Sequence, residues 1–151
     1  MLSFKKRPAP EPCFQIGQYQ IDMRIEGMEG LSPLSREELE ALGSTVQFRG
    51  EEILHAPAAR FMGVEWDTIL GTVNERLYKI AVQWVGPRAD VGRINRQIVI
   101  ECTKRYGNGK NMAFWDTSDG NLVLQSANMG GHAMLSLFAT SGKTRDFVRV
   151  R

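Results

Sequence analysis

The sequence predicts an α+β domain: a mostly antiparallel sheet of seven to eight strands with one long and one short helix. Three observations carry this. Short runs of alternating apolar and polar residues recur along most of the chain, with glycine, proline or asparagine between them. One stretch, Arg88 to Tyr106, instead places Val91, Ile94, Ile98 and Cys102 in steps of three and four, the spacing of an amphipathic helix. No long linker divides the 151 residues, which suit one domain with an ordinary core.

Residues 1–12 carry Lys5, Lys6, Arg7 and three prolines and are expected to be a flexible arm ahead of a domain at 13–151. Tyr19, Ile21, Met23 and Ile25 alternate, which predicts a strand. Ser35-Arg-Glu-Glu38 is a capping box, with Leu39 and Leu42 on one side and Gly43 at the C-cap position, so a helix is expected at about 36–42. Val46–Arg49, Glu52–His55 and Arg60–Met62 read as short strands broken by Gly50, Pro57 and Gly63. Glu65–Val73 and Leu77–Val85 are longer. After the helix at about 88–106, ended by Gly107-Asn108-Gly109, come strands at Met112–Thr117, Leu122–Ala127, Ala133–Thr140 and Arg145–Val150. In the last of these, Val148 and Val150 are expected to face in, with Arg149 and Arg151 out.

Trp-Asp-Thr occurs twice, at 66–68 and 115–117. The second copy opens the stretch FWDTSDGNLVLQ, whose acidic residues invite comparison with a calcium loop. Starting from Asp116, that pattern puts Gly120 at the fifth position and Ala127 at the twelfth, so the ligands are missing. As a hairpin turning on Asp119-Gly120, the stretch pairs Trp115 with Leu124, tryptophan inward and Asp116 outward. For the first copy, a two-residue loop Asn74-Glu75 needs positive φ at Glu75. A three-residue loop at 74–76 sets Trp66 against Trp84 and Leu70 against Ile80, and is preferred. Both copies then read as core tryptophans beside outward aspartates. The functional alternative is that Asp67 and Asp116 converge as an acid pair.

Composition is 42% hydrophobic and 24% charged, with a net charge of +2 from 19 basic and 17 acidic residues. This balance does not by itself imply a nucleic-acid or membrane partner. No apolar run approaches the roughly 18 residues of a membrane span. The basic start lacks the apolar core of a secretory signal, so a cytoplasmic location is expected. Cys13 and Cys102 are too few and too far apart for a disulfide framework. With His55 and His132 they show no metal-ligand spacing, so neither metal nor cofactor is expected. Ser-Gly-Lys-Thr at 141–144 lacks the earlier glycine of a phosphate loop, Leu137 standing in its place.

The segment Gly27–Gly43, with its Gly-Met pair, capped helix and Leu-Gly, resembles the opening of small bacterial inhibitor-like and outer-membrane lipoprotein domains over about a tenth of the chain. The lipoprotein signal of those families is missing, and no function is carried over from the likeness.

Without a catalytic or metal constellation, the sequence favours a non-enzymatic cytoplasmic bacterial binding protein, such as an inhibitor, immunity or regulatory factor acting on a protein partner. Arg93 and Arg96 leave the long helix away from its apolar side, and Asp67 and Asp116 leave the sheet outward, so these four are the expected partner contacts. Two alternatives stand beside this: a small hydrolase using Asp67, Asp116 and His132, and a nucleic-acid binder using Arg145, Arg149 and Arg151.

Overall fold

Seven strands form one antiparallel sheet in the computed structural model, which describes residues 14–41, 46–61, 63–111, 113–118 and 120–150. The expected arm, Cys13, the helix end at Leu42 and Gly43, and Arg151 lie outside the described residues. The sheet consists of β3 (Ser32–Pro33), β4 (Glu51–Phe61), β5 (Val64–Val73), β6 (Arg76–Pro87), β7 (Phe114–Thr117), β8 (Gly120–Met129) and β9 (His132–Ser141). Its order is β3-β4-β5-β6-β9-β8-β7. Two meanders, β4-β5-β6 and β7-β8-β9, are thus joined along β6 and β9. A small hairpin, β1 (Gln15–Ile16) and β2 (Tyr19–Gln20), precedes them.

The helix α2 (Arg88–Tyr106) carries the chain from central β6 to edge strand β7. It buries Ile94, Ile98 and Cys102, the residues its period singled out, against β6, β9 and β7. The N-terminal hairpin covers the other half of the same sheet face, packing on β4 and β6 with Phe14, Ile16, Tyr19 and Ile21 buried. Leu70, Ile80, Val82, Leu135, Leu137 and Leu122 form the sheet's side of this core. The main core therefore lies on one face, and a smaller buried cluster of Phe48, Val73 and Tyr78 stands apart from it.

The short helix α1 (Arg36–Ala41) starts at its capping box. Ser35 Oγ accepts from the Glu38 N–H at 3.1 Å, and Glu38 Oε1 accepts from the Ser35 N–H at 3.1 Å. It buries none of its residues.

Several local expectations are corrected. Glu52–His55 and Arg60–Met62 are not separate strands. Their described residues belong to one strand, β4, whose pairing with β5 slips between Ala56 and Ala59, and Met62 lies outside the described residues. Pro57 sits in that irregularity, where its missing N–H costs no ladder bond. The β5–β6 loop is the two-residue Asn74-Glu75, both with positive φ (51° and 67°), and not the three-residue loop expected. Leu70 nevertheless pairs with Ile80, because a bulge between Gly71 and Thr72 admits Tyr78 as an extra residue. The N-terminal segment holds this costly turn. Ile25 N–H donates to Glu75 O at 3.0 Å, and Leu77 N–H donates to Met23 O at 2.9 Å.

In the β7–β8 hairpin, Trp115 pairs with Leu122 rather than Leu124, and Thr117 with Gly120. A slip of two residues preserves the faces, so Trp115 is still buried at 1% exposure and Asp116 still points out. Gly120 does not adopt positive φ. It is required because a Cβ there would stand 1.9 Å from Thr140 O. Trp84 is half-buried; its indole lies against Gly86, whose Cβ position would meet the ring at 2.3 Å.

No strand spans Arg145–Val150. Gly142–Asp146 is a 3-10 turn, capped by Ser141 Oγ accepting from the Lys143 N–H at 3.1 Å. The chain then pairs with 47–49: Arg49 N–H donates to Val148 O at 2.8 Å and Val150 N–H to Gln47 O at 2.9 Å. This overturns the expected inward side of the valines, while Arg149 is exposed as expected. Val148 and Val150 are 59% and 49% exposed, while Arg149 lies over the Phe48 ring, 5.7 Å from its centroid.

Candidate functional site

The strand registers place the outward residues of the open sheet face in rows across the strands. One row runs His55, Ile69, Ala81, Phe138, Val123, Phe114 from β4 to β7. Apart from His55 it is apolar. On one side lies a polar row, Asp67, Gln83, Ser136, Gln125. On the other lies a mixed row, Ile53, Gly71, Lys79, Thr140, Asn121, Asp116. An apolar stripe bordered by a polar and a mixed row thus lies on the face opposite α2.

Over β4, β5, β6 and β9 this face is hollowed into a trough of about 430 Å³. Ile53, Ile69, Ala81 and Phe138 give it an apolar floor, and Phe48, Thr144 and Arg149 wall one side. The wall exists because the chain after β9 folds back onto 47–49. Its base is an aromatic cluster in which Phe48, Tyr78 and Phe147 meet edge to face at 5.3–5.8 Å. Gly71 makes room for it, since a Cβ at 71 would stand 2.9 Å from the Tyr78 ring.

Beneath this wall the Tyr78 hydroxyl donates to Glu51 Oε2, while Glu51 Oε1 accepts from the backbone N–H groups of Gln47 (2.6 Å) and Phe48 (3.0 Å). Both carboxylate oxygens are engaged. Burial, and then the bond to Glu51, push the Tyr78 phenol far above its ordinary range, so it remains a donor. Lys79 and Arg149 also line the trough. Lys79 Nζ lies 5.7 Å from the Phe138 centroid, matching Arg149 over Phe48. Neither cation has an ion-pair partner among the described residues.

The trough continues beneath α1. A second hollow of about 280 Å³ shares Ile69 and Gln83 with it and is lined by Leu34, Glu38, His55 and Asp67 as well. Here Asp67 meets His55 and Glu38 instead of Asp116 and His132. No hydrogen bond joins His55 to Asp67. Among the described residues no three His, Cys, Asp or Glu side chains form a group able to hold a metal.

The remaining sequence-derived candidates are dispersed. Asp116 lies on β7, with β6, β9 and β8 between it and Asp67 on β5, about 19 Å of sheet at the usual strand spacing. His132 is exposed at the start of β9, beside the Gly130-Gly131 turn. Arg93 and Arg96 are exposed on α2, on the opposite side of the sheet from the open face; Arg93 pairs with Asp90 at 4.0 Å. Arg145 is exposed on the 3-10 turn, and Arg149, also exposed, lines the trough. Cys102 is buried, which pushes its thiol up to about 12.

Sequence reasoning missed Lys79, Phe138, Tyr78 and Glu51. One signal was present: Phe138 stands at an outward position of β9, where alternation calls for a polar residue. In comparisons with protein-family models, curated proteins and solved structures, nothing matches the chain. No helix among the described residues is long and apolar enough to cross a membrane.

Proposed function

We propose that this chain is a non-catalytic binding protein that receives its partner on the open face of the sheet. The observation that carries this reading is the apolar row Ile69-Ala81-Phe138-Val123, bordered by polar rows and hollowed into the trough. Binding surfaces combine an apolar centre with a polar rim and a few aromatic or arginine anchors, and Phe138 and Arg149 supply those here. The partner is a protein in the bacterial cytoplasm, and the chain acts on it as an inhibitor, immunity or regulatory factor. Asp67 and Asp116 then lie toward opposite sides of the contact. Arg93 and Arg96 stay outside it, because the sheet stands between α2 and the open face.

The hydrolase alternative needs Asp67, Asp116 and His132 within reach of one substrate atom, and their spacing along the sheet does not favour that. The nucleic-acid alternative needs the C-terminal cations on one surface, whereas Arg149 is stacked into the trough wall.

Capture from the native host tests the proposal. Phe138→Glu should abolish recovery of the partner that the wild-type chain retains, while Arg96→Glu keeps it and both variants keep the wild-type melting temperature. Loss with Arg96→Glu and retention with Phe138→Glu would place the partner on α2 instead.

A further inference from the structure

The charged groups of the trough do not balance. Glu51 is the one acidic side chain lining the larger hollow, Glu38 and Asp67 standing in the adjoining one beneath α1, and three donors already engage the Glu51 oxygens. Counted as a carboxylate, it sets one negative charge against the two positive charges of Lys79 and Arg149. Each cation lies over an aromatic ring and lines the hollow. The same hollow has the apolar floor of Ile69, Ala81 and Phe138.

The backbone beneath that floor offers nothing to a ligand, because its N–H and C=O groups are spent in the β5–β6 and β6–β9 ladders. Polar recognition must come from side chains. A bound peptide backbone would leave most of its own polar groups unpaired over Ile69 and Ala81. A compact body with a single anionic group would not. A hollow of about 430 Å³ is also within the size of small-molecule sites, roughly 300–1,000 Å³.

We infer that the trough is a small-ligand site for an amphipathic monoanion: an aromatic or branched aliphatic body seated on Ile69, Ala81 and Phe138, with one carboxylate or other oxyanion held between Lys79 and Arg149. This rests on the open face being the receiving surface, and makes the protein's partner contact subject to occupancy by a small molecule.

Two fluorescent probes test it, 8-anilinonaphthalene-1-sulfonate and N-phenyl-1-naphthylamine, which share a body and differ in the sulfonate. The folded chain should bind the sulfonate at least about tenfold more tightly than the neutral probe. Lys79→Gln and Arg149→Gln should each weaken the sulfonate about tenfold and leave the neutral probe unchanged. Arg96→Gln, on the far side of the sheet, should change neither, and melting temperatures should show all three variants folded. Equal binding of the two probes, unaffected by Lys79 or Arg149, would overturn the anion site while leaving an apolar receiving face. Binding of neither probe would overturn the small-ligand site altogether, and the open-face reading would still be judged separately by Phe138→Glu in partner capture.

Discussion

The Tyr78 hydroxyl donates to the Glu51 carboxylate from two strands away, with β5 between them. The contact exists because the bulge at Gly71–Thr72 turns Tyr78 onto the open face immediately before Lys79, so consecutive residues of β6 line the trough. A local irregularity in one hairpin thereby shapes the trough.

Tyr78→Phe should cost about 1–3 kcal/mol in denaturant titration, because it removes a donor from a buried carboxylate. Its pH dependence identifies the cause. An unfolded tyrosine ionises at about pH 10, whereas folded Tyr78 stays protonated well above that. Its contribution is therefore complete below pH 10 and is lost as pH rises further. The stability gap between wild type and Tyr78→Phe should narrow above pH 10. A gap that stays constant there would mean the hydroxyl is not buried against Glu51.

Gly120 and Gly130 should respond differently to alanine. At Gly130, φ is 70° and the space for a Cβ is open, so Gly130→Ala should cost about 1 kcal/mol of backbone strain. At Gly120 a Cβ would collide with Thr140 O, and β8 must move away from β9. Gly120→Ala should therefore be the more damaging by at least about 1 kcal/mol. Equal losses would contradict the β8–β9 register.

Cys102 should be inert in the folded chain. With Cys13→Ser removing the other thiol, Cys102 should react with a disulfide reagent at pH 8 only as fast as the protein unfolds, since burial holds its thiol up at about 12. The same shift makes the stability contributed at this site fall as pH rises from about 8.5, where an unfolded cysteine ionises. Rapid reaction without denaturant would show that α2 does not cover the sheet as described.

What the sequence made legible was periodicity. Val91, Ile94, Ile98 and Cys102 define α2 without help from tertiary contacts, and the Ser35–Glu38 box is a local hydrogen-bond pattern. Both tryptophans of Trp-Asp-Thr face the core and both aspartates face out, because a two-residue slip leaves faces unchanged. Turns were less legible. Asn74-Glu75 adopts a conformation its own residues disfavour because Met23 and Ile25 pair alongside it, and those partners lie some fifty residues earlier. The valines of the C-terminus turn outward for a similar reason: pairing with 47–49 replaces docking on the core, and Arg149, exposed, lies over the Phe48 ring. The trough was hidden because it requires three strand registers and that fold-back together. Lys79 and Arg149 become neighbours of one hollow only when all of these are in place.

The central claim, that the open face receives the partner, is tested most directly by thiol footprinting. In a background lacking both native cysteines (Cys13→Ser, Cys102→Ala), a single cysteine is placed at Thr140 beside the trough or at Arg96 on α2, and labelling is compared with and without the captured partner. The account predicts that the partner shields the cysteine at 140 and leaves the one at 96 fully reactive. Shielding at 96 with free labelling at 140 would contradict it.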